Sequence, residues 1–189
     1  NYRNAFPVLG KYNLTAPFFI VTSFVGLTNK WDELLGEIRS NILSWDEIIM
    51  MSRAGMSFGS HSCTHRRLTA CPDELLEREL RESKTMLEER LNKRIELFSY
   101  PWGDSDLRTT QIVKNAGYIA ACSDRKCETE KLFLYNLNRI RIYPRDSLTL
   151  FRIKVSGWYD WLENLLTILK IRGIMRRVKT LEAQGDFFV

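Results

Sequence analysis

The sequence predicts an α/β protein on a mostly parallel sheet, and three observations carry that expectation. Short, nearly continuous apolar runs rich in aromatic and β-branched residues read as strands buried on both faces. Amphipathic stretches of helical period lie between them, in the alternation that makes β-α-β units on an open sheet or a barrel. The chain has 189 residues, 44% hydrophobic and 27% charged, enough to build one core of ordinary domain size. No run approaches the roughly 18 apolar residues of a spanning helix, and no repeat or linker tract divides the chain.

Ala5, Val8, Leu9 and Tyr12 fall at helical spacing, and Gly10 with Asn13 stops that helix. Pro17 then opens the apolar strand Phe18-Phe19-Ile20-Val21-Thr22. Ser44 and Glu47 form a capping box for a helix running to Gly55, and Met56 to Ser60 is a short strand feeding a polar loop from His61 to Arg67. A long helix runs from Asp73 to about Leu91, with Leu75, Leu76, Leu80, Leu87 and Leu91 as its apolar stripe. Ile95 to Tyr100 reads as a strand ending in the turn Pro101-Trp102-Gly103, and a helix from about Ser105 to Ala116 closes at Gly117. Tyr118 to Cys122 and Asn138 to Ile142 are two further strands, and Ser147 caps a helix to about Val155. Trp158 to about Leu181 reads as amphipathic and helical.

Against 23 acidic residues stand 28 basic ones, a formal charge of +5. The late cluster Lys170, Arg172, Arg176, Arg177 and Lys179 reads as a solvated helix face, with a nucleic-acid contact as the minor alternative. Leu165, Leu166, Ile168 and Leu169 favour packing of this segment over a membrane or partner contact. Cys63, Cys71, Cys122 and Cys127 are too sparse for a disulfide framework and read as reduced thiols. The first residue is Asn1, and the opening residues read as the interior of a helix begun earlier, so an upstream segment is expected and the compartment is left undecided.

The chain's two histidines, His61 and His65, lie four apart directly after a strand. Imidazoles so placed can converge on one divalent metal, zinc with cobalt and nickel as alternatives, but a catalytic site wants a third protein ligand. Loop histidines bonded to backbone are the plain reading, and a structural zinc drawing also on Cys63 and Cys71 is a weaker one. Tyr100, Pro101 and Trp102 set two aromatics at a strand end, either as a sugar-binding wall or as a turn capping the core. Asp106 suits the amino end of the next helix.

Together, Gly59-Ser-His-Ser-Cys-Thr-His65 and Phe98-Ser-Tyr-Pro-Trp-Gly103, with the segment from Asn4 to Val21, resemble the polysaccharide deacetylases with a NodB-homology domain, in their Tyr-Pro-Tyr-Gly branch. The resemblance covers Asn1 to about Gly157. It implies a distorted (β/α) barrel over residues 1–157, incomplete at the amino end, with a basic helical extension over 158–189. The activity implied is metal-dependent removal of acetyl groups from N-acetylated sugars of a polysaccharide, with a carbohydrate polymer as partner and no nucleic acid. By position, His61 and His65 would be the metal ligands, Ser62 and Thr64 would brace their loop, and Trp102 would offer its amide to the oxyanion. Tyr100, Pro101, Trp102 and Arg141 would bind substrate, Arg139 being an alternative to Arg141.

Three departures accompany the resemblance. The family's Thr-Phe-Asp-Asp-Gly motif, source of the catalytic base and third ligand, is absent from this sequence and expected just upstream of Asn1. Its late Leu-x-His motif has no counterpart, Ile140-Arg-Ile142 standing at the equivalent strand, and Ser99 replaces an arginine that orients the base. The 189 residues alone are therefore expected to lack full activity, and a non-catalytic glycan-binding homologue is the alternative.

Overall fold

A computed structural model describes residues 1–31, 39–124, 130–143 and 145–159. The chain divides into two compact units, Asn1–Arg139 and Ile140–Val189. In the first unit the order is α1 (Ala5–Lys11), β1 (Pro17–Ile20), α2 (Trp45–Arg53), β2 (Ser57–Ser60), α3 (Asp73–Leu91), β3 (Leu97–Ser99), α4 (Leu107–Asn115), β4 (Ala120–Ser123) and β5 (Leu137–Asn138). The second unit contributes α5 (Leu148–Val155). The expected helix from Trp158 to Leu181 lies almost wholly outside the described residues, as does Cys127.

All five strands are parallel and pair in chain order, β1-β2-β3-β4-β5. Sequential parallel pairing with a helix in each of the first three crossovers brings every strand's carboxyl end, and the loop that follows it, to one edge of the sheet. Register shows how tight the sheet is at β2. Gly59 faces Phe19 across the pair, and a Cβ there would stand 2.7 Å from both the Phe19 ring and the Leu97 carbonyl oxygen.

The helices form where local chemistry directs them. Ser44 accepts from the Glu47 amide while Glu47 accepts from the Ser44 amide, the reciprocal cap expected from sequence. Asp106 makes the same kind of box with Thr109 at the start of α4. Asn92 closes α3 in the left-handed conformation. The apolar faces of these helices meet the sheet in one core, where Ile48, Met51, Leu76, Leu80, Leu87, Phe98, Tyr100 and Val113 are fully buried. Tyr118 joins it, its hydroxyl donating to the Leu80 carbonyl at 3.0 Å.

The last strand differs from expectation. A run over Asn138 to Ile142 reads as strand, but pairing with β4 covers only Leu137 and Asn138. The alternation of Arg and Ile mimics a strand with one wet face, yet residues 139–143 lie beyond the end of the strand.

Candidate functional site

The site is built from the loops after β2, β3 and β4. His61 leaves β2 with its amide donating to the Ile20 carbonyl at 2.9 Å. Its Nδ1 lies 2.6 Å from the Ser99 carbonyl oxygen at the end of β3. A carbonyl only accepts, so Nδ1 carries the proton and Nε2 keeps the lone pair, the tautomer a metal ligand needs. Burial lowers the His61 pKa to about 4, against the opposing Ser99 hydrogen bond, so the imidazole is neutral at physiological pH. The His65 ring centroid is 4.9 Å away, the two rings meeting edge to face.

The backbone that brings them together is strained. Five described non-glycine residues have positive φ, and three belong to this site: Ser62 at 65°, His65 at 59° and Trp102 at 63°. The other two are Asn13 and Asn92, a residue type that tolerates the left-handed region. Such conformations cost on the order of 1–3 kcal/mol each and persist where the surroundings over-determine them.

Here the surroundings are explicit. The Glu79 carboxylate, buried on α3, accepts from the Cys63 and Thr64 amides at 2.8 Å each and from the Thr64 hydroxyl at 2.5 Å. Ser62 Oγ accepts from the His65 amide at 3.0 Å, and the Ser62 amide donates to Ser60 Oγ. The Thr22 and Ser23 amides, just after β1, donate to the Ser62 and Cys63 carbonyls. From α4, Arg108 reaches the Leu68, Thr69 and Cys71 carbonyls and pins the far end of the loop.

Aromatic rings flank the second histidine. Trp31 stacks on His65 at 4.7 Å and Trp102 lies at 5.2 Å, its Nε1 donating to the His65 carbonyl. The Arg67 guanidinium sits 5.8 Å from the Trp102 ring centre and bonds Asp104 at 2.7 Å. Beyond β4, Asp124 receives Arg139 at 3.2 Å, and both charges act on His61. Gly103, with φ of 64°, lies so close to Asp124 that a Cβ would fall inside its carboxylate.

The geometry thus gathers His61, Ser62, Thr64, His65 and Trp102. It does not gather all that the sequence suggests. Tyr100 is fully buried, packed edge to face on Phe98 with its hydroxyl donating to the Tyr135 carbonyl. Pro101 is buried as well. Where the sequence leads one to expect substrate contacts, both side chains are buried at the turn that carries Trp102. Arg141 falls in the second unit, where its carbonyl accepts from Lys154 at 2.8 Å. Cys63 and Cys71 are buried free thiols, and among the described residues no three His, Cys, Asp or Glu side chains converge as a metal site. Asp106 is the cap of α4.

Sequence reasoning passed over Glu79 and Trp31. Glu79 left a signal, since it sits on the apolar stripe of α3 between Leu76 and Leu80, where a carboxylate needs a buried partner. Nothing local marked Trp31.

The polysaccharide deacetylase family model matches residues 1–121. YxkH of Bacillus subtilis strain 168, which carries a polysaccharide deacetylase name, is 24% identical over 145 residues, 76% of this chain and 48% of its own length. Among solved structures, the Streptococcus pyogenes deacetylase PplD in complex with acetate aligns with a TM-score of 0.67 and 26% identity, over 81% of this chain and 64% of PplD. BC0361, a polysaccharide deacetylase from Bacillus cereus, aligns with a TM-score of 0.68 and 25% identity, over 82% of this chain and 48% of its own. This chain therefore spans about half to two thirds of the length of these relatives, and its parallel sheet matches their (β/α) barrel.

Proposed function

The chain belongs to the polysaccharide deacetylase family, and from that premise we propose that it carries the two-histidine half of a metal-dependent site that removes acetyl groups from N-acetylated sugars of a polysaccharide. One observation carries the reading: the only two histidines meet at the carboxyl end of β2, with His61 fixed by Ser99 in the tautomer that frees Nε2. The residues fit a divalent ion of the zinc, cobalt or nickel type, for which imidazole nitrogen is a suitable donor. When bound, such an ion supplies Lewis acidity to an acetyl carbonyl and lowers the pKa of its water.

The remaining work falls to the protein. Ser99 orients His61, and Glu79 through Thr64 and Cys63 holds the loop in its strained course, so both imidazoles keep their direction without reorganising. Trp102 has its ring against His65 and its backbone at the strand end, and its amide is our choice for the donor that steadies a tetrahedral oxyanion. Arg139, tied to Asp124, places a cation beside His61 in the region where Ser99 replaces the family's arginine. A third ligand and a general base would complete the chemistry, and the resemblance gives both roles to the Asp-Asp pair of the family's first motif.

The test is acetate release from N-acetylated oligosaccharides by the intact protein. Turnover is expected to stop on chelation, return with zinc, cobalt or nickel, and disappear in His61→Ala and in His65→Ala. Glycan binding indifferent to chelator, with no acetate released by the metal-loaded protein, overturns the proposal in favour of a non-catalytic glycan-binding homologue.

A further inference from the structure

Helix α5 has two apolar sides. On the inner one, Leu150 and Ile153 are half-buried and Lys154 is buried, its ammonium held by Asp146 at 2.7 Å and by the Arg141 carbonyl at 2.8 Å. Those contacts fix which way the helix faces. The other side carries Leu148, Phe151 and Val155 at successive helical spacings, 64%, 39% and 61% exposed. Ile142 and Tyr143, just before the helix, are 47% and 42% exposed. Among the described residues nothing covers this stripe, on a helix whose inner side is already packed.

The charge beside it says which partner. Residues 141–159 hold Arg141, Arg145, Arg152 and Lys154 against a single acid, Asp146, which Lys154 already pairs. Arg145 and Arg152 are exposed. Apolar side chains flanked by cations match an anionic bilayer surface, which takes large apolar groups into its interface and draws basic residues to its headgroups. No helix among the described residues is long and apolar enough to cross a membrane, and this contact requires none.

We propose that α5, through its stripe of Leu148, Phe151 and Val155 and the exposed Arg145 and Arg152, docks the protein on the surface of an anionic membrane. The mode is peripheral and reversible, with the helix lying in the plane of the interface. It is independent of any chemistry at the histidine pair.

Vesicle flotation tests this with the full chain, using phosphatidylcholine vesicles with and without phosphatidylglycerol. Binding is expected only to the anionic vesicles, and it should weaken as salt is raised. Phe151→Ser with Val155→Ser, both at exposed positions and checked for an unchanged circular dichroism spectrum, should weaken binding roughly tenfold or more by removing apolar area from the interface. Arg145→Gln with Arg152→Gln should weaken it several-fold while leaving any residual affinity for neutral vesicles unchanged. Absence of binding to anionic vesicles overturns the proposal, as does equal binding to both kinds. Concentration-dependent self-association in sedimentation that Phe151→Ser abolishes, without vesicle binding, assigns the stripe to a second copy instead.

Discussion

Removing the Glu79 carboxylate would strand the buried Cys63 amide, the half-buried Thr64 amide and the Thr64 hydroxyl at once. Glu79→Ala should therefore lower stability by about 3 kcal/mol, at the upper end for lost buried hydrogen bonds. Glu79→Gln keeps one oxygen for the amides and an NH2 for Thr64, and should retain most of that stability. Urea unfolding of both variants measures the difference, and equal losses would mean that packing, not hydrogen bonding, holds the loop. Gly103→Ala is expected to cost about 2 kcal/mol or more, because it combines a φ of 64° with a Cβ placed in the Asp124 carboxylate. A near-neutral thermal midpoint for that variant would show that Asp124 can swing away. These two residues also mark what a sequence can reveal of a site. The histidine pair is legible because spacing alone puts both on one turn. Glu79 meets that turn from fifteen or sixteen residues along the chain, and its position on the apolar stripe of α3 is the only local trace. The burial of Tyr100 is hidden for the same reason, since the Tyr135 carbonyl that accepts from its hydroxyl lies 35 residues away.

Elements were legible to the extent that their ends are local chemistry. The Ser44–Glu47 box, the span from Asp73 to Leu91 and the Ser147 cap of α5 are each written in a few consecutive residues, and the structure has them. Strand ends are not, because they depend on how far a neighbour extends, and β5 stops after two residues for lack of further pairing. The tie between α3 and the residues leading into β4 gives an element-scale prediction. Burial raises the Tyr118 pKa to about 12, and its hydroxyl is bonded to the Leu80 carbonyl. In the unfolded chain the phenol loses its proton near 10. Below about pH 10 both states hold that proton and the contribution is complete. Between about pH 10 and 12 the unfolded state binds fewer protons than the folded one, so stability falls, by about 3 kcal/mol in all for two pKa units. Tyr118→Phe should cost about 1 kcal/mol at neutral pH through the lost hydrogen bond and flatten this alkaline decline. Denaturant midpoints at neutral pH and near pH 11 check both; parallel declines in the two proteins would place the alkaline sensitivity elsewhere.

At the scale of the whole molecule, core, sheet and histidine site all belong to Asn1–Arg139. Every residue of the hydrophobic cluster precedes Arg139, β5 ends at Asn138, and Arg139 itself is tied back to Asp124 and to the Ser123 carbonyl. In the second unit Lys154 is held by Asp146 and Arg141, with Tyr143 and Tyr159 rings near its ammonium. A division in which the described core sits in the first part predicts that the first part's cooperativity does not depend on the second. A chain ending at Arg139 should accordingly unfold in a single urea transition, with a midpoint close to that of the full chain. It should also keep the hydrogen bond between His61 and Ser99, readable as a protected imidazole N–H in the proton spectrum. The same truncation should abolish binding to anionic vesicles, since it removes the α5 stripe together with Arg145 and Arg152. Retained folding with lost membrane binding would separate the sheet that carries the histidine pair from the segment that binds the membrane. A broad, non-cooperative transition would instead show that the sheet needs the second unit to close its core.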